Sequence, residues 1–180
     1  MIGDSTPWKQ ELLAIALRLE RRATQRRWTS RTAYLVERDV MVGAFSARKL
    51  LDSYKVSQTT EVESVPVRAA RLTGEPSDAW TRSQFFEHYD VANPKPESLS
   101  LRDLTNQLIH STVFSLSATD TEPPLFDGVI VASDLKVESR VYFVPVASVV
   151  RAFRSIGEDE PLAWQMERDA KGRRTIKVYP

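Results

Sequence analysis

Apolar residues recur at helical spacing in the first third of the chain and predict two long helices. The stripe of the first helix consists of Trp8, Leu12, Ile15, Leu19 and Ala23. Thr6 is placed to cap this helix and Pro7 stands where a missing N–H is tolerated, so we expect it over about 6–27. A second stripe predicts a helix over about 30–54, and the two helices are expected to form an antiparallel hairpin.

The middle of the chain is predicted to hold a strand, a short helix and a loop. Apolar residues alternate with polar or small ones over 65–69, which is typical of a strand. Because Pro66 has no N–H to donate to a ladder, this strand is expected at the edge of a sheet. Aromatic residues within 77–89 predict a short helix, and the two prolines within 91–98 predict a loop.

A third helix is predicted over about 100–116, with Ser100 as its cap. Its buried face is expected to consist of Leu101, Leu104, Leu108 and Ser111. Leucines at these spacings lie on one side of a helix and turn it toward a core.

In the last third of the chain, the pattern of apolar residues becomes typical of strands. Apolar runs at 129–132 and 141–144 predict two buried strands, and a helix is expected to start at Pro145 and to stop at Gly157. Alternating residues on both sides of the turn 169–172, which ends in Gly172, predict a β-hairpin.

These elements predict an α+β fold in a single domain, 1–180. An N-terminal helical hairpin and a third core helix would pack with a small, mainly antiparallel sheet from the C-terminal part. The helical part is expected over about 6–116 and the β-rich part over about 126–180.

Composition narrows the function classes. The 180 residues include no cysteine and two histidines, which excludes disulfides and thiolate metal sites. No Asp/Glu spacing indicates a magnesium site, so no metal and no cofactor are predicted. The start of the chain lacks the features of a secretion signal, and no apolar run is long enough for a membrane span. We therefore expect a soluble cytoplasmic protein that does not bind membranes.

Positive charge is concentrated near the start of the chain. The first 55 residues carry 11 Lys and Arg against 6 Asp and Glu. Within this region Arg18, Arg22, Arg26, Arg27 and Trp28 form a candidate nucleic-acid-binding set. Arginines four apart share a helix face, and guanidinium groups beside an aromatic can hold phosphates and stack on bases. The alternative is a solvated helix surface whose charge is neutralised by the acidic middle of the chain.

The third predicted helix carries a polar stripe of Arg102, Asn106 and His110. An imidazole can move protons near neutral pH, an arginine can hold a phosphate, and an amide can orient either group. The stripe is therefore a candidate catalytic set. The alternative is the polar face that any amphipathic helix turns to water.

Residues 105–110 (TNQLIH), after a helical hairpin, resemble the motif of the HEPN superfamily, which includes metal-independent ribonucleases and binding-only relatives. The Asn-x-x-x-His pattern matches at Asn106 and His110, but Thr105 stands where the family usually has arginine. The resemblance implies that His110 acts as general acid or base on RNA, that Asn106 orients the phosphate, and that Arg102 substitutes for the missing arginine. It also implies a homodimer. The missing arginine favours a binding-only relative.

Residues 127–134 and 141–157 also resemble a pattern seen in uncharacterised bacterial proteins, which implies no function. Three hypotheses follow from the sequence. The protein is a binding or regulatory module whose basic helical face meets RNA or another anionic partner. Alternatively, it is a metal-independent HEPN-type ribonuclease centred on His110. The third possibility is a protein–protein interaction module that binds no nucleic acid.

Overall fold

An antiparallel sheet of five strands forms the centre of the protein. The computed structural model describes residues 2–78, 80–168 and 174–180. The strands of the sheet are β1 (Ser64–Arg71), β2 (Lys95–Ser100), β3 (Ser111–Ala118), β4 (Phe126–Ser133) and β5 (Arg140–Pro145). They lie in the order β2-β1-β5-β4-β3, and every neighbouring pair is antiparallel. β2 and β3 are therefore the two edges.

Helices pack on one face of this sheet, and a separate hairpin follows them in the chain. The α-helices are α1 (Thr6–Ala23), α2 (Ser30–Asp52), α3 (Gln58–Glu61), α4 (Leu101–Ile109) and α5 (Val146–Glu158), and a 3-10 helix at Arg82–Glu87 lies on the other face of the sheet. The hairpin consists of β6 (Ala163–Arg168) and β7 (Arg174–Tyr179). The predicted α+β class is confirmed. Strands occupy more of the predicted helical part 6–116 than expected, since β2 and most of β3 lie there in addition to β1, which matches the strand predicted over 65–69.

The main core lies between the helices and the inner face of the sheet. α1 contributes the fully buried Leu12, Ile15 and Leu19. Strand side chains alternate between faces, so Val129 and Val131 pack with the helices while Ala132 points to the outer face. On that outer face Phe85 and Tyr89 cover part of the sheet in a smaller cluster. The rest of the outer face stays open.

α1 ends earlier than predicted, at Ala23, whereas α2 begins where predicted. Thr29 is extended, and its side-chain oxygen accepts a hydrogen bond from the Thr32 N–H at 3.2 Å, as an N-cap residue does. Ahead of it, the indole N–H of Trp28 donates to the carbonyl oxygen of Gln25 at 3.0 Å. Residues 24–29 thus form a connector instead of continuing α1.

α4 is shorter than the helix predicted over 100–116, because the chain enters β3 at Ser111. Ser100 caps α4 as predicted, and the burial of Leu101, Leu104 and Leu108 is confirmed. The placement of Ser111 on the same helix face is wrong. Residues 112–114 are β-branched or aromatic, and they pair with β4 instead of extending the helix.

Two predictions about strands are also wrong. β1 is not an edge strand, because β2 flanks it on one side and β5 on the other. Pro66 fits there because β5 pairs only with residues 68–71, and the carbonyl oxygen of Pro66 accepts instead from the Ser148 hydroxyl at 2.6 Å. The segment 91–98 is only partly a loop, since its end belongs to β2, which pairs with residues 64–69 of β1.

The C-terminal predictions are largely confirmed. β4 and β5 cover the two predicted buried runs, and α5 follows directly after Pro145. α5 does not stop at Gly157 but includes it and ends at Glu158. β6 and β7 form the predicted hairpin, whereas its turn 169–172, including Gly172, lies outside the described residues.

α2 and α5 meet in a close contact between a glycine and a phenylalanine. Phe153 of α5 is fully buried, and its ring lies against Gly43 of α2. A Cβ atom added at Gly43 would lie 2.7 Å from Cζ of that ring, which is closer than carbon atoms can pack. The two helices reach this distance only because residue 43 has no side chain.

We predict that Gly43→Ala lowers the free energy of unfolding by about 1–2 kcal/mol, because overpacking exceeds the gain in helix propensity. Denaturant unfolding measures this change. Adding Phe153→Leu should make the Gly43→Ala penalty smaller, since it removes the ring that the new methyl group meets. Gly74→Ala is the matched control, because nothing lies within 4 Å of a Cβ atom there. Equal penalties at residues 43 and 74 would contradict the prediction.

Candidate functional site

Arg102, the first member of the predicted catalytic stripe, lies between acidic groups of α2 and α3. Its guanidinium donates to Asp52 Oδ1 at 2.6 Å and to Glu61 Oε1 at 2.9 Å. These hydrogen bonds raise the pKa of Arg102, and the one that Arg102 donates to Glu61 contributes most. Burial alone would raise the pKa of Asp52, but the guanidiniums of Arg48 and Arg102 outweigh it and hold this pKa below its usual value.

Asn106 belongs to the same network. Its side-chain oxygen accepts a hydrogen bond from Nη1 of Arg48, and Nε of Arg48 donates to Asp52 Oδ2 at 2.9 Å. The network therefore ties α2 to α4. Arg102 and Asn106 are therefore already bonded to protein groups through the atoms that would have to bind a substrate phosphate.

His110 stands apart from this network, at the end of α4. Its backbone N–H donates to the carbonyl oxygen of Asn106 at 3.0 Å, and its own carbonyl oxygen accepts from the Asp134 N–H at 3.2 Å. The side chain is exposed and makes no hydrogen bond to the residues that the structure describes. The structure thus brings Arg102 and Asn106 together but leaves the imidazole outside their network. Catalysis by these three residues stays a prediction.

We expect purified protein to leave single-stranded and structured RNA intact in EDTA between pH 5 and 9. The physical reason is that Asp52, Glu61 and Arg48 occupy the groups that would bind and orient the phosphate. Gel analysis of labelled RNA measures the outcome. Cleavage that disappears in His110→Ala but persists in His88→Ala would instead establish the ribonuclease hypothesis.

Two of the five candidate nucleic-acid-binding residues are engaged inside the fold. Arg18 donates to Glu11 at 2.8 Å and to Asp39 at 2.9 Å, and Asp39 is only 5% exposed. Burial would raise the pKa of Asp39, but hydrogen bonds from Arg18 and Arg38 hold it below its usual value. Arg22 donates to the side-chain oxygen of Gln25. Arg18 therefore stabilises the α1–α2 pair.

Arg26 and Arg27 lie in the connector and not on α1, so the predicted face shared by Arg18, Arg22 and Arg26 does not exist. Both connector arginines are exposed, as is Arg31 at the start of α2. None of these three forms a salt bridge with a residue in the described ranges. They are among the positive charges that this end of the molecule presents to solvent.

Trp28, the fifth candidate, is half-buried. Its ring packs at a tilt against Phe126, with 5.7 Å between the ring centroids, and its N–H is bonded within the connector. These contacts occupy the indole N–H and part of the ring. The indole also forms one wall of a groove.

This groove, here called the edge groove, runs between the start of α2 and β3. It encloses about 360 Å³ and is lined mainly by apolar side chains: Trp28, Ala33, Leu116, Ala118, Pro124 and Phe126, with Arg26 beside them. β3 is an edge of the sheet, and a register shift lies between Ser117 and Ala118. Within the ranges that the structure describes, no other element is joined to the outer edge of β3 by a backbone hydrogen bond.

Sequence reasoning missed the edge groove because β3 was predicted as the end of a helix. A signal was present in residues 113–118 (VFSLSA), where Phe114, Leu116 and Ala118 alternate with smaller or polar residues. That period of two indicates a strand with one face toward a core.

In comparisons with known proteins, no family model, curated protein or solved structure matches this chain. Across the described residues, no helix combines the length and the apolar character needed to cross a bilayer. The same residues contain no group of three or more His, Cys, Asp or Glu side chains that could hold a metal ion.

Arg18 and Arg27 are predicted to differ in what their removal does. Arg18→Ala leaves the buried Asp39 with Arg38 alone, so we expect a loss of about 1–3 kcal/mol in unfolding free energy. Arg27→Ala removes an exposed side chain and should change stability by less than about 0.5 kcal/mol. Denaturant unfolding at pH 7 checks both values, and equal losses would contradict the structural assignment of Arg18.

The stability that the Arg18–Asp39 pair provides depends on pH. The pKa of Asp39 is lowered in the folded protein, so the stability it provides is present above the unfolded value of about 3.9 and is lost as pH falls through the folded value. Because Arg18→Ala raises the folded pKa of Asp39, this variant should begin to lose stability at a higher pH than the wild type.

Proposed function

We propose that the protein is a binding module that holds an extended acidic segment of a partner protein along β3. The observation that supports this is the edge groove, an apolar groove beside an open sheet edge with exposed arginines next to it. The sequence-based hypothesis of a basic face for an anionic partner is kept, but the face moves from α1 to the connector. Binding, not catalysis, is the proposed role, and the cytoplasm is its predicted place.

The open edge is the first support. A sheet edge carries a row of N–H and C=O groups that an added strand can pair with, and many peptide-binding domains use it in this way. The 3-10 helix packs against the outer face of β3, whereas the edge groove follows its last residues, Leu116 to Ala118. A segment paired there would direct every second side chain into the groove.

The charge around the groove is the second support. Arg26, Arg27 and Arg31 are exposed and have no salt-bridge partner in the part of the chain that the structure describes. Acidic side chains of the segment that point to the same side as its apolar anchors would meet Arg26. Opposite charge speeds encounter and selects partners more than it adds affinity, so binding should weaken as salt rises.

The state of Trp28 favours a protein partner over RNA. Sequence-tolerant binding of single strands uses aromatic faces on which bases stack, together with cations that follow the phosphates. Here the indole packs on Phe126, and the groove beside it is mainly apolar. An extended peptide with apolar side chains suits that lining better than a polynucleotide does.

We predict that Ala33→Glu abolishes selection of peptides from a displayed library of random 12-residue sequences, while the wild type enriches segments that combine apolar and acidic residues. Ala33 lines the edge groove in the first turns of α2, so a glutamate there fills the groove and repels acidic ligands. The helix dipole favours an acid at this position, so stability should be kept. Ala33→Gln, of equal size but neutral, should retain more binding.

Charge reversal provides the matched control. Fluorescence anisotropy of a selected peptide should show at least about tenfold weaker binding for Arg27→Glu, while Lys136→Glu, an exposed reversal in the β4–β5 turn, should bind as the wild type does. A labelled poly(U) oligonucleotide tests the other partner class. If it binds more tightly than every selected peptide and Arg27→Glu abolishes that binding, the protein-partner proposal fails in favour of RNA.

A further inference from the structure

The outer face of the sheet carries a second cavity, apart from the edge groove. This outer-face cup has a volume of about 280 Å³, at the low end of the range of roughly 300–1,000 Å³ for ligand pockets. Its floor consists of Ile130, Val141 and Phe143, and segment 91–94 forms one wall. The cup lies where Phe85 and Tyr89 leave the sheet uncovered. Its size suits a small molecule.

Asp127 holds an unpartnered polar atom at one end of the cup. Its Oδ1 is buried and has no hydrogen-bond partner among the described residues. A buried carboxylate oxygen without a donor is costly, and more so than a neutral acceptor because it carries charge. An ammonium group of a ligand would supply both the missing donor and the opposite charge.

Arg68 holds the opposite charge at the other end. Its guanidinium lies over the ring of Phe143, with Cζ at 4.3 Å from the ring centroid, and no salt bridge joins it to any described side chain. Stacking on a ring fixes the plane of the guanidinium and leaves its N–H groups free at the edge. That arrangement suits a carboxylate.

The register of the sheet sets the distance between the two ends. Arg68 lies opposite Phe143, and Phe143 lies opposite Ile130 on β4. Asp127 precedes Ile130 by three positions, and β1 and β4 lie two strand spacings of about 4.8 Å apart, so the two residues are separated both along and across the strands. A ligand that meets both charges must therefore carry them several bonds apart.

We propose that the outer-face cup binds a small ω-amino carboxylate, with its ammonium group on Asp127 and its carboxylate on Arg68. The apolar floor between them receives the methylene chain. An α-amino acid without a long side chain holds its two charges too close together to reach both residues. The exposed Asp120 adds negative charge beside the ammonium end.

Isothermal titration calorimetry with glycine, 4-aminobutanoate and 6-aminohexanoate tests this proposal. Affinity should rise with chain length, and hexylamine and hexanoate, each with one of the two charges, should bind at least about tenfold more weakly than 6-aminohexanoate. If hexylamine binds as tightly, the role of Arg68 is overturned. If none of the three amino carboxylates binds at 10 mM, the whole proposal is overturned.

Variants at Asp127 and at Arg68 test the two charged ends of the outer-face cup one at a time. Asp127→Asn and Arg68→Gln should each weaken 6-aminohexanoate binding by at least about tenfold, whereas Asp134→Asn, at the far end of β4, should leave it unchanged. Arg68 is exposed, so its variant stays informative if Asp127→Asn does not fold. Since neither residue lines the edge groove, peptide binding should be unaffected.

Discussion

The crossing of α2 and α5 at Gly43 and Phe153 sets the spacing of the helical layer on which the rest of the molecule depends. α5 lies against both α1 and the sheet, so its distance from α2 decides how closely the helices pack over β1, β4 and β5. A fully buried ring fills the space that a missing side chain leaves. Packing at this density turns a small change in volume into a change in stability.

Around this crossing, charged side chains serve mainly to join elements that are distant in the chain. Arg102 connects α4 to Asp52 and Glu61, and Arg18 connects α1 to the buried Asp39. Asp159 follows α5, where the helix dipole disfavours an anion, but its carboxylate accepts from the N–H of Ser57, the N-cap residue of α3, at 2.6 Å and so joins the end of α5 to the start of α3. Many of the charged side chains therefore form ion pairs or hydrogen bonds within the fold.

This use of charge explains why the fold was more predictable than the site. The period of the apolar residues and the capping residues are local signals. They predict α2, β4, β5 and the C-terminal hairpin. The stripe of Arg102, Asn106 and His110 is also a local pattern, but its meaning depends on Arg48, Asp52 and Glu61, which lie some 40 to 60 residues away. Spacing predicts which side chains share a helix face and cannot predict what that face meets.

The errors in the fold have the same origin. Residues 111–116 carry apolar groups that suit either a helix or a strand, and only pairing with β4 decides for the strand. Two prolines near β2 indicate a loop locally, but β1 supplies a continuous partner. Both cavities lie beside strands whose existence or position depends on such pairing, so neither was visible as a motif.

The register shift between Ser117 and Ala118 places one short stretch of chain under two constraints. In a regular strand successive residues serve opposite faces, whereas here both of these residues line the edge groove and the outer-face cup. Deleting one residue at this point would remove the shift that places Ala118 opposite Phe126, and so would change which side chains reach the two cavities. Insertions and deletions should therefore be tolerated less well in these few residues than their position next to a surface turn suggests.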